Sequence, residues 1–171
     1  VLDLGANIGL SSLYFAKNWP NATIVGVEPD EGNYALFCQN VAAQERIVHL
    51  RGAIASKHSY ARIINPGASE WGYRTEINDS KSDGLVALSV TELLDRYGDC
   101  EPFICKIDIE GAERELFSGN TQWVARFPVV IIELHDWLFP RSGNSANFLR
   151  AIAGMDRDFI LSGENIFSIS D

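Results

Sequence analysis

The sequence predicts a doubly wound α/β fold, with a mostly parallel sheet, helices on both of its faces and a C-terminal antiparallel hairpin. Three observations carry this. The chain opens on an apolar run that ends in Asp3 and Gly5, followed by a loop of small residues and then a helical period. About twenty residues later a second, β-branched run stops at Glu28-Pro29, the spacing of a first βαβ unit. Two further apolar runs, at residues 103–109 and 128–135, also end in polar residues. In a parallel sheet all these ends fall on one edge, where such folds bind ligands.

The first unit reads strand, glycine-rich turn, helix. Gly5 can take a positive φ, and Gly9 lets the helix approach the strand closely. Leu10, Leu13, Tyr14 and Lys17 follow at i, i+3, i+4 and i+7, so the apolar ones share a face. A dinucleotide fingerprint requires G-x-G-x-x-G, but here Ala6-Asn7 stand where the second glycine belongs. A pyrophosphate needs close backbone approach, and Asp3 at the loop mouth would repel it. An acid suits a ligand with hydroxyls or a cationic group instead. S-adenosylmethionine has both, a ribose and an ammonium.

Residues 21–29 read as a buried parallel strand ending in Glu28, where doubly wound domains place an acid on the ribose hydroxyls. Pro29 stops the strand and Asp30 caps a helix whose Tyr34, Phe37, Cys38 and Val41 share a face. A third strand, 47–50, precedes small residues, and an adenine could lie against Ala53 and Ile54. Residues 60–65 and 73–77 are short β-prone pieces around a Pro66-Gly67 turn with Trp71, either a loop over a pocket or a hairpin outside the main fold. Residues 78–84 read as an exposed loop.

Ser89 and Glu92 make a capping box ahead of a helix that ends at Gly98. The strand at 103–109 alternates Lys106, Asp108 and Glu110 with Ile107 and Ile109, which puts the three charges on one side. Charges in line at a strand end are costly unless solvated or used. Gly111 allows a turn, and a helix starts near Ala112. The run at 128–135 ends in Glu133-Leu134-His135; Trp137, Phe139 and Pro140 form an aromatic loop; Ser145 can cap a helix closed by Gly154; and 159–161 with 166–169 make the terminal hairpin.

Composition bounds the partners. The 171 residues, 46% of them hydrophobic, suit a single domain with a proper core. A net charge of −9 and scattered basic residues argue against nucleic acid. No apolar run approaches the roughly 20 residues of a membrane span. Cys38, Cys100 and Cys105 show no C-x-x-C spacing, which predicts buried or half-buried thiols in a reducing, cytoplasmic compartment. His49, His58 and His135 lie far apart, so no metal site is expected from them. The chain starts inside a strand without a Met, so a preceding segment is expected.

Two stretches together carry a resemblance. Asp3-Leu4-Gly5-Ala6-Asn7-Ile8-Gly9 with Glu28-Pro29 resembles S-adenosylmethionine-dependent methyltransferases of the seven-stranded Rossmann-like class. Lys106-Ile107-Asp108-Ile109-Glu110-Gly111-Ala112-Glu113, with Ile132-Glu133-Leu134-His135 after it, is similar to the FkbM-type methyltransferases. The resemblance spans nearly the whole chain and implies a single methyltransferase domain over 1–171 without its N-terminal segment. It implies that Asp3, Gly5, Ala6, Asn7 and Gly9 form the cofactor loop, that Glu28 beside Pro29 binds the ribose, and that Ala53 lies near the adenine. Asp108 would sit by the methionine moiety or the transfer site, with Glu110 and Glu113 bordering the acceptor. The implied reaction is O-methylation of a hydroxyl on a sugar or other small molecule.

In-line methyl transfer to an alcohol needs alignment and a proton acceptor. Asp108, Glu110 and His135 are the candidates, His135 having the best unperturbed pKa. Lys106 could hold a carboxylate in its charged form. A divalent ion between Asp108, Glu110 and Glu133 is a minority variant. The rival readings are a non-catalytic S-adenosylmethionine-binding domain and a nicotinamide-dependent oxidoreductase, whose glycine fingerprint the loop lacks. The acceptor and the oligomeric state are not legible.

Overall fold

A computed structural model describes residues 1–63, 75–78, 84–138 and 140–171. Strands β1 (Leu2–Leu4), β2 (Ile24–Glu28), β3 (Ile47–Arg51), β8 (Ile104–Ile107) and β9 (Val129–Glu133) run parallel in one sheet. The hairpin β10 (Asp158–Ser162) and β11 (Asn165–Ile169) completes it, β11 lying antiparallel to β9. The order is β10-β11-β9-β8-β1-β2-β3, seven strands, mostly parallel, with the expected hairpin. β1 is central, and its C-terminal end meets those of β2 and β8 on the same edge. The register sets Asp3 opposite Lys106.

Alternation along the strands divides the interior into two cores. Leu2, Leu4, Val25, Val27, Cys105, Ile107, Val130 and Ile132 pack with Leu93 of α3 (Val90–Arg96), Leu116 of the single-turn α4 (Glu113–Leu116), Trp123 of the 3-10 turn Thr121–Arg126, and Phe148 of α5 (Ala146–Ile152). On the other face Ile24, Ile47 and Ile104 pack with Phe15 of α1 (Leu10–Asn18) and Phe37 and Val41 of α2 (Glu31–Val41). Phe37, wholly buried, contributes about 1.5–3 kcal/mol by that burial. It seats against Gly9 and Gly26: a Cβ at Gly9 would come within 2.3 Å of its ring, and one at Gly26 within 2.4 Å.

Several expectations change. The expected apolar face of α1 is split, with Leu10 63% and Tyr14 60% exposed but Leu13 half-buried against the core; the buried residues are Phe15 and Ser12, whose hydroxyl donates to Asp3. The small residues after β3 are a separate strand, β4 (Ala53–Ala55). It belongs to a second sheet of order β4-β7-β5-β6, with β5 (Ser59–Ile63), β6 (Thr75–Asn78) and β7 (Leu85–Ser89). β8 ends at Ile107, so Asp108 and Glu110 lie beyond the strand and alternation does not govern them. Ser145 makes no side-chain cap on α5; its N–H donates to Asp136 Oδ1 at 3.3 Å. Cys100 is exposed, although Cys38 is half-buried and Cys105 buried; all three are free thiols. The Pro66-Gly67 turn, Trp71, Tyr73, most of the 78–84 loop and Phe139 lie outside the described residues. Both helix caps hold: Asp30 accepts from Asn33 N at 2.9 Å, and Ser89 and Glu92 form the full capping box. Among the described residues no helix is long and apolar enough to cross a membrane.

Candidate active site

The loop after β1 is built by close backbone approach. Gly5 has φ +80°, and a Cβ there would come 1.7 Å from the Asp108 carbonyl oxygen, so only glycine fits between the ends of β1 and β8. The N–H groups of Gly5 and Ala6 both donate to Val27 O at 3.0 Å. Asn7 takes a left-handed φ of 50° and turns its N–H onto Glu28 Oε2 at 2.9 Å. The other oxygen, Oε1, accepts from Asp30 N at 2.9 Å. Burial pushes the Glu28 carboxyl up to about 7, partly offset by the hydrogen bonds from Asp30 and Asn7.

A pocket of about 590 Å³, including its open mouth, lies over this edge. Of the residues assigned to a cofactor from the sequence, Gly5, Asn7, Glu28, Pro29, Ala53 and Asp108 line it, together with Ile54, Asn33, Gly52, Ile109, Glu110 and others. Asp3, Ala6 and Gly9 do not. Asp3 is fully buried: Oδ2 accepts from Ser11 Oγ at 2.7 Å and Ser12 Oγ at 2.6 Å, while Oδ1 has no hydrogen bond and stands 3.5 Å from Lys106 Nζ. Lys106 also reaches Asp108 Oδ2 at 3.2 Å and Gly5 O at 3.4 Å. Burial works against its charge, but Asp3 and Asp108 outweigh that and raise its pKa. Asp3 therefore organises the loop and the lysine from beneath, and Lys106 holds Asp108 as expected.

Around Asp108 the ends of β8 and β9 bring together the rest of the predicted set. His135 Nε2 stands 3.4 Å from Glu133 Oε1, 3.6 Å from Glu110 Oε2 and 3.8 Å from Asp108 Oδ1. Its Nδ1 is 2.8 Å from Glu113 Oε1. Burial lowers the imidazole pKa, but the hydrogen bond and charge of Glu113, with Glu110 and Glu133, push it up to about 9. At that value the charged form of His135 prevails at neutral pH. Glu110 is raised too, up to about 7, by burial and by Asp108, Glu133 and Glu113 against the pull of His135. Its backbone is left-handed, φ 51°, a conformation that costs about a kcal/mol or more for a non-glycine residue.

Glu110 and Ala112 also line a second, wider cleft of about 1680 Å³ including its mouth, walled by Arg114, Arg141, Ser142, Asn147 and others. Asp108, Glu133 and His135 each offer one atom within 4.8 Å of the others, a spacing three ligands of one cation would have. Asp108 and His135 each also have a partner within the protein: Lys106 holds Asp108, and Glu113 accepts from His135 Nδ1.

Sequence reasoning missed Asn33, Gly52 and Asn144. Asn33 sits at the third helical position after the Asp30 cap, facing back over Glu28. Gly52 breaks β3 from β4. Asn144, 3% exposed, donates to Glu113 Oε2. It carries no spacing signal because it comes from a loop 31 residues away.

The family described as Methyltransferase FkbM domain matches residues 3–160. Methyltransferase sdnD of Sordaria araneosa is 28% identical over 70% of this chain and 59% of its own length. Hexuronic acid methyltransferase AglP of Haloferax volcanii is 24% identical over 81% of this chain and 57% of its own. The chain spans less than two thirds of the length of the curated relatives it matches. The crystal structure of Methyltransferase FkbM from Methylobacillus flagellatus KT superposes with a TM-score of 0.67 at 16% identity, over 99% of this chain and 42% of that one, a likeness of fold. With the family matched from the first strand into the terminal hairpin, this chain belongs to the FkbM methyltransferase domain family.

Proposed function

We propose that the chain is one S-adenosylmethionine-dependent methyltransferase domain that methylates a hydroxyl on a sugar or other small molecule. The observation that supports this most is that the pocket over the glycine loop and the wide cleft adjoin at Glu110 and Ala112. A cofactor and an acceptor lodged in them would meet beside the carboxylate best tuned to take a proton.

The pocket residues fit the cofactor. Each Glu28 oxygen accepts one backbone N–H, from Asn7 and from Asp30, and keeps lone pairs for a ribose diol. Gly52, Ala53 and Ile54 offer a small-residue wall for the adenine, and Asp108, which lines the same pocket and is held by Lys106, is the residue we assign to the methionine moiety. When bound, the cofactor supplies a methyl group whose S–C bond breaks as the acceptor's O–C bond forms, the electron pair staying on sulfur. Such a methyl is already activated, so the chain's residues mainly align the acceptor and exclude water. Glu110 takes the hydroxyl proton, since a base works best with a pKa near the operating pH. His135, charged, offsets the three carboxylates around Nε2.

The cleft wall mixes polar and apolar side chains and carries two guanidiniums, Arg114 and Arg141, in a chain of net charge −9. Such a wall suits a hydroxylated acceptor, including one with a carboxylate, and AglP is named for a hexuronic acid. The test is incubation with S-adenosylmethionine and a panel of neutral sugars, uronic acids and phenols, with S-adenosylhomocysteine read by mass spectrometry. Product with any hydroxylated acceptor supports the reading. Cofactor binding with no turnover on the panel would favour the non-catalytic rival.

A further inference from the structure

The least exposed charged pair among the described residues is Glu113 with His135, at 0% and 1%. The contacts of the Glu113 carboxylate point to one task. Oε1 accepts from His135 Nδ1 at 2.8 Å and from Gly111 N at 3.2 Å, and Oε2 accepts from Asn144 Nδ2. Asn144 is itself fixed, its Oδ1 accepting from Arg114 N at 3.4 Å. A buried carboxylate with no other outlet is costly unless paired. Here it is paired with the one ring whose far nitrogen faces Asp108, Glu110 and Glu133.

We propose that Glu113, held by Asn144, is a positioning residue: it fixes the His135 ring with both nitrogens protonated, so that Nε2–H stands among Asp108, Glu110 and Glu133 and keeps Glu110 aimed at the junction of the two cavities. This rests on Glu110 as the proton acceptor. Glu113 itself lines neither cavity. Without its charge the ring loses a proton, and Nε2 as a bare lone pair would repel the carboxylates it now holds. Of these carboxylates Asp108 is also held by Lys106, at 3.2 Å.

Glu113→Gln keeps the shape and removes the charge. Turnover should fall about 100-fold, as expected for a reacting group misplaced by about 1 Å, while the affinity for S-adenosylmethionine stays within about threefold of wild type. Glu113→Asp, which keeps the charge, should recover most of the loss. Asn144→Ser, which frees one oxygen without touching the ring, should lose less than Glu113→Gln. The direct readout is the nitrogen NMR spectrum of ¹⁵N-histidine-labelled protein at pH 7, with His135 assigned through His135→Gln. Two protonated nitrogens in wild type and a neutral tautomer in Glu113→Gln support the proposal. A neutral His135 in wild type, or an unchanged spectrum or turnover in Glu113→Gln, overturns it. If wild type methylates nothing on the panel, the methyltransferase reading fails, and the spectrum still decides what Glu113 does to the ring.

Discussion

The backbone N–H of Asn7 donates to Glu28 Oε2 at 2.9 Å across 21 residues, tying the glycine loop to the end of the second strand. The carboxylate that would hold a ribose is thereby also the brace of the loop that would hold the rest of the cofactor. Glu28→Ala should weaken S-adenosylmethionine binding at least about tenfold, since hydrogen bonds to a charged group contribute about 1.5–3 kcal/mol each. Titration calorimetry reads it; unchanged affinity would remove Glu28 from the site.

The same residue predicts a pH dependence. With its pKa pushed up to about 7, Glu28 is an acceptor-only carboxylate above that pH, so cofactor affinity should rise as pH passes from 6 to 8. For stability the sign is reversed. The unfolded carboxyl ionises at about its ordinary 4.5, so the raised folded value lowers stability progressively as pH rises from about 4.5 through 7.

Turnover should follow a bell with limbs near pH 7 and 9. Glu110, raised to about 7, must be ionised to accept a proton, which sets the acidic limb. His135, raised to about 9, must stay charged, which sets the basic limb. Its contribution to stability is fully present below its ordinary 6.5 and is lost as pH rises through about 9. Initial rates across pH 5–10 for wild type, Glu110→Gln and His135→Gln check this. A basic limb that persists in His135→Gln would contradict the assignment.

Asp3→Ala leaves Lys106 buried with Asp108 alone and strips two serine hydroxyls of their acceptor. Breaking a buried pair in this way costs about 3–5 kcal/mol. Thermal unfolding should show the loss, and cofactor affinity should fall with it through the loop. A stable variant with selectively lost binding would instead make Asp3 a direct ligand.

The sheet edge was readable because each strand announces its end: Asp3-Leu4-Gly5, Glu28-Pro29 and Glu133 are changes from apolar to polar at fixed places in βαβ units. The lining by Gly5, Asn7, Glu28 and Ala53 follows from that. What was not readable depends on side chains competing for one another. Asp3 stands at the strand end where a ligand contact is expected, but Ser11 and Ser12, eight and nine residues on in the first turn of α1, donate to its Oδ2. The residues α1 buries are Ser12 and Phe15, which leaves Leu10 and Tyr14 exposed. Three charges in an alternating run suggest one strand face, but Gly5 against Asp108 ends β8 early, and Glu110 turns left-handed toward His135. The state of His135 could not come from spacing at all, because Glu113 lies 22 residues away and Asn144 comes from another loop.

Turnover without a resident metal is a prediction of the same geometry, since Lys106 pairs with Asp108 and the His135 ring stands among Asp108, Glu110 and Glu133. Turnover should be unchanged after dialysis against a chelator. Loss of rate restored by magnesium or manganese would show that a cation, not the imidazolium, balances the three acids.

The central claim is the identity of the cofactor, and the most direct measurement is calorimetric titration of the chain with S-adenosylmethionine and, separately, with NAD. The account predicts saturable binding of S-adenosylmethionine, one per chain, weakened in Glu28→Ala, and no binding of NAD to a loop with Ala6-Asn7 in place of the second glycine. Binding of NAD without binding of the sulfonium compound would contradict it.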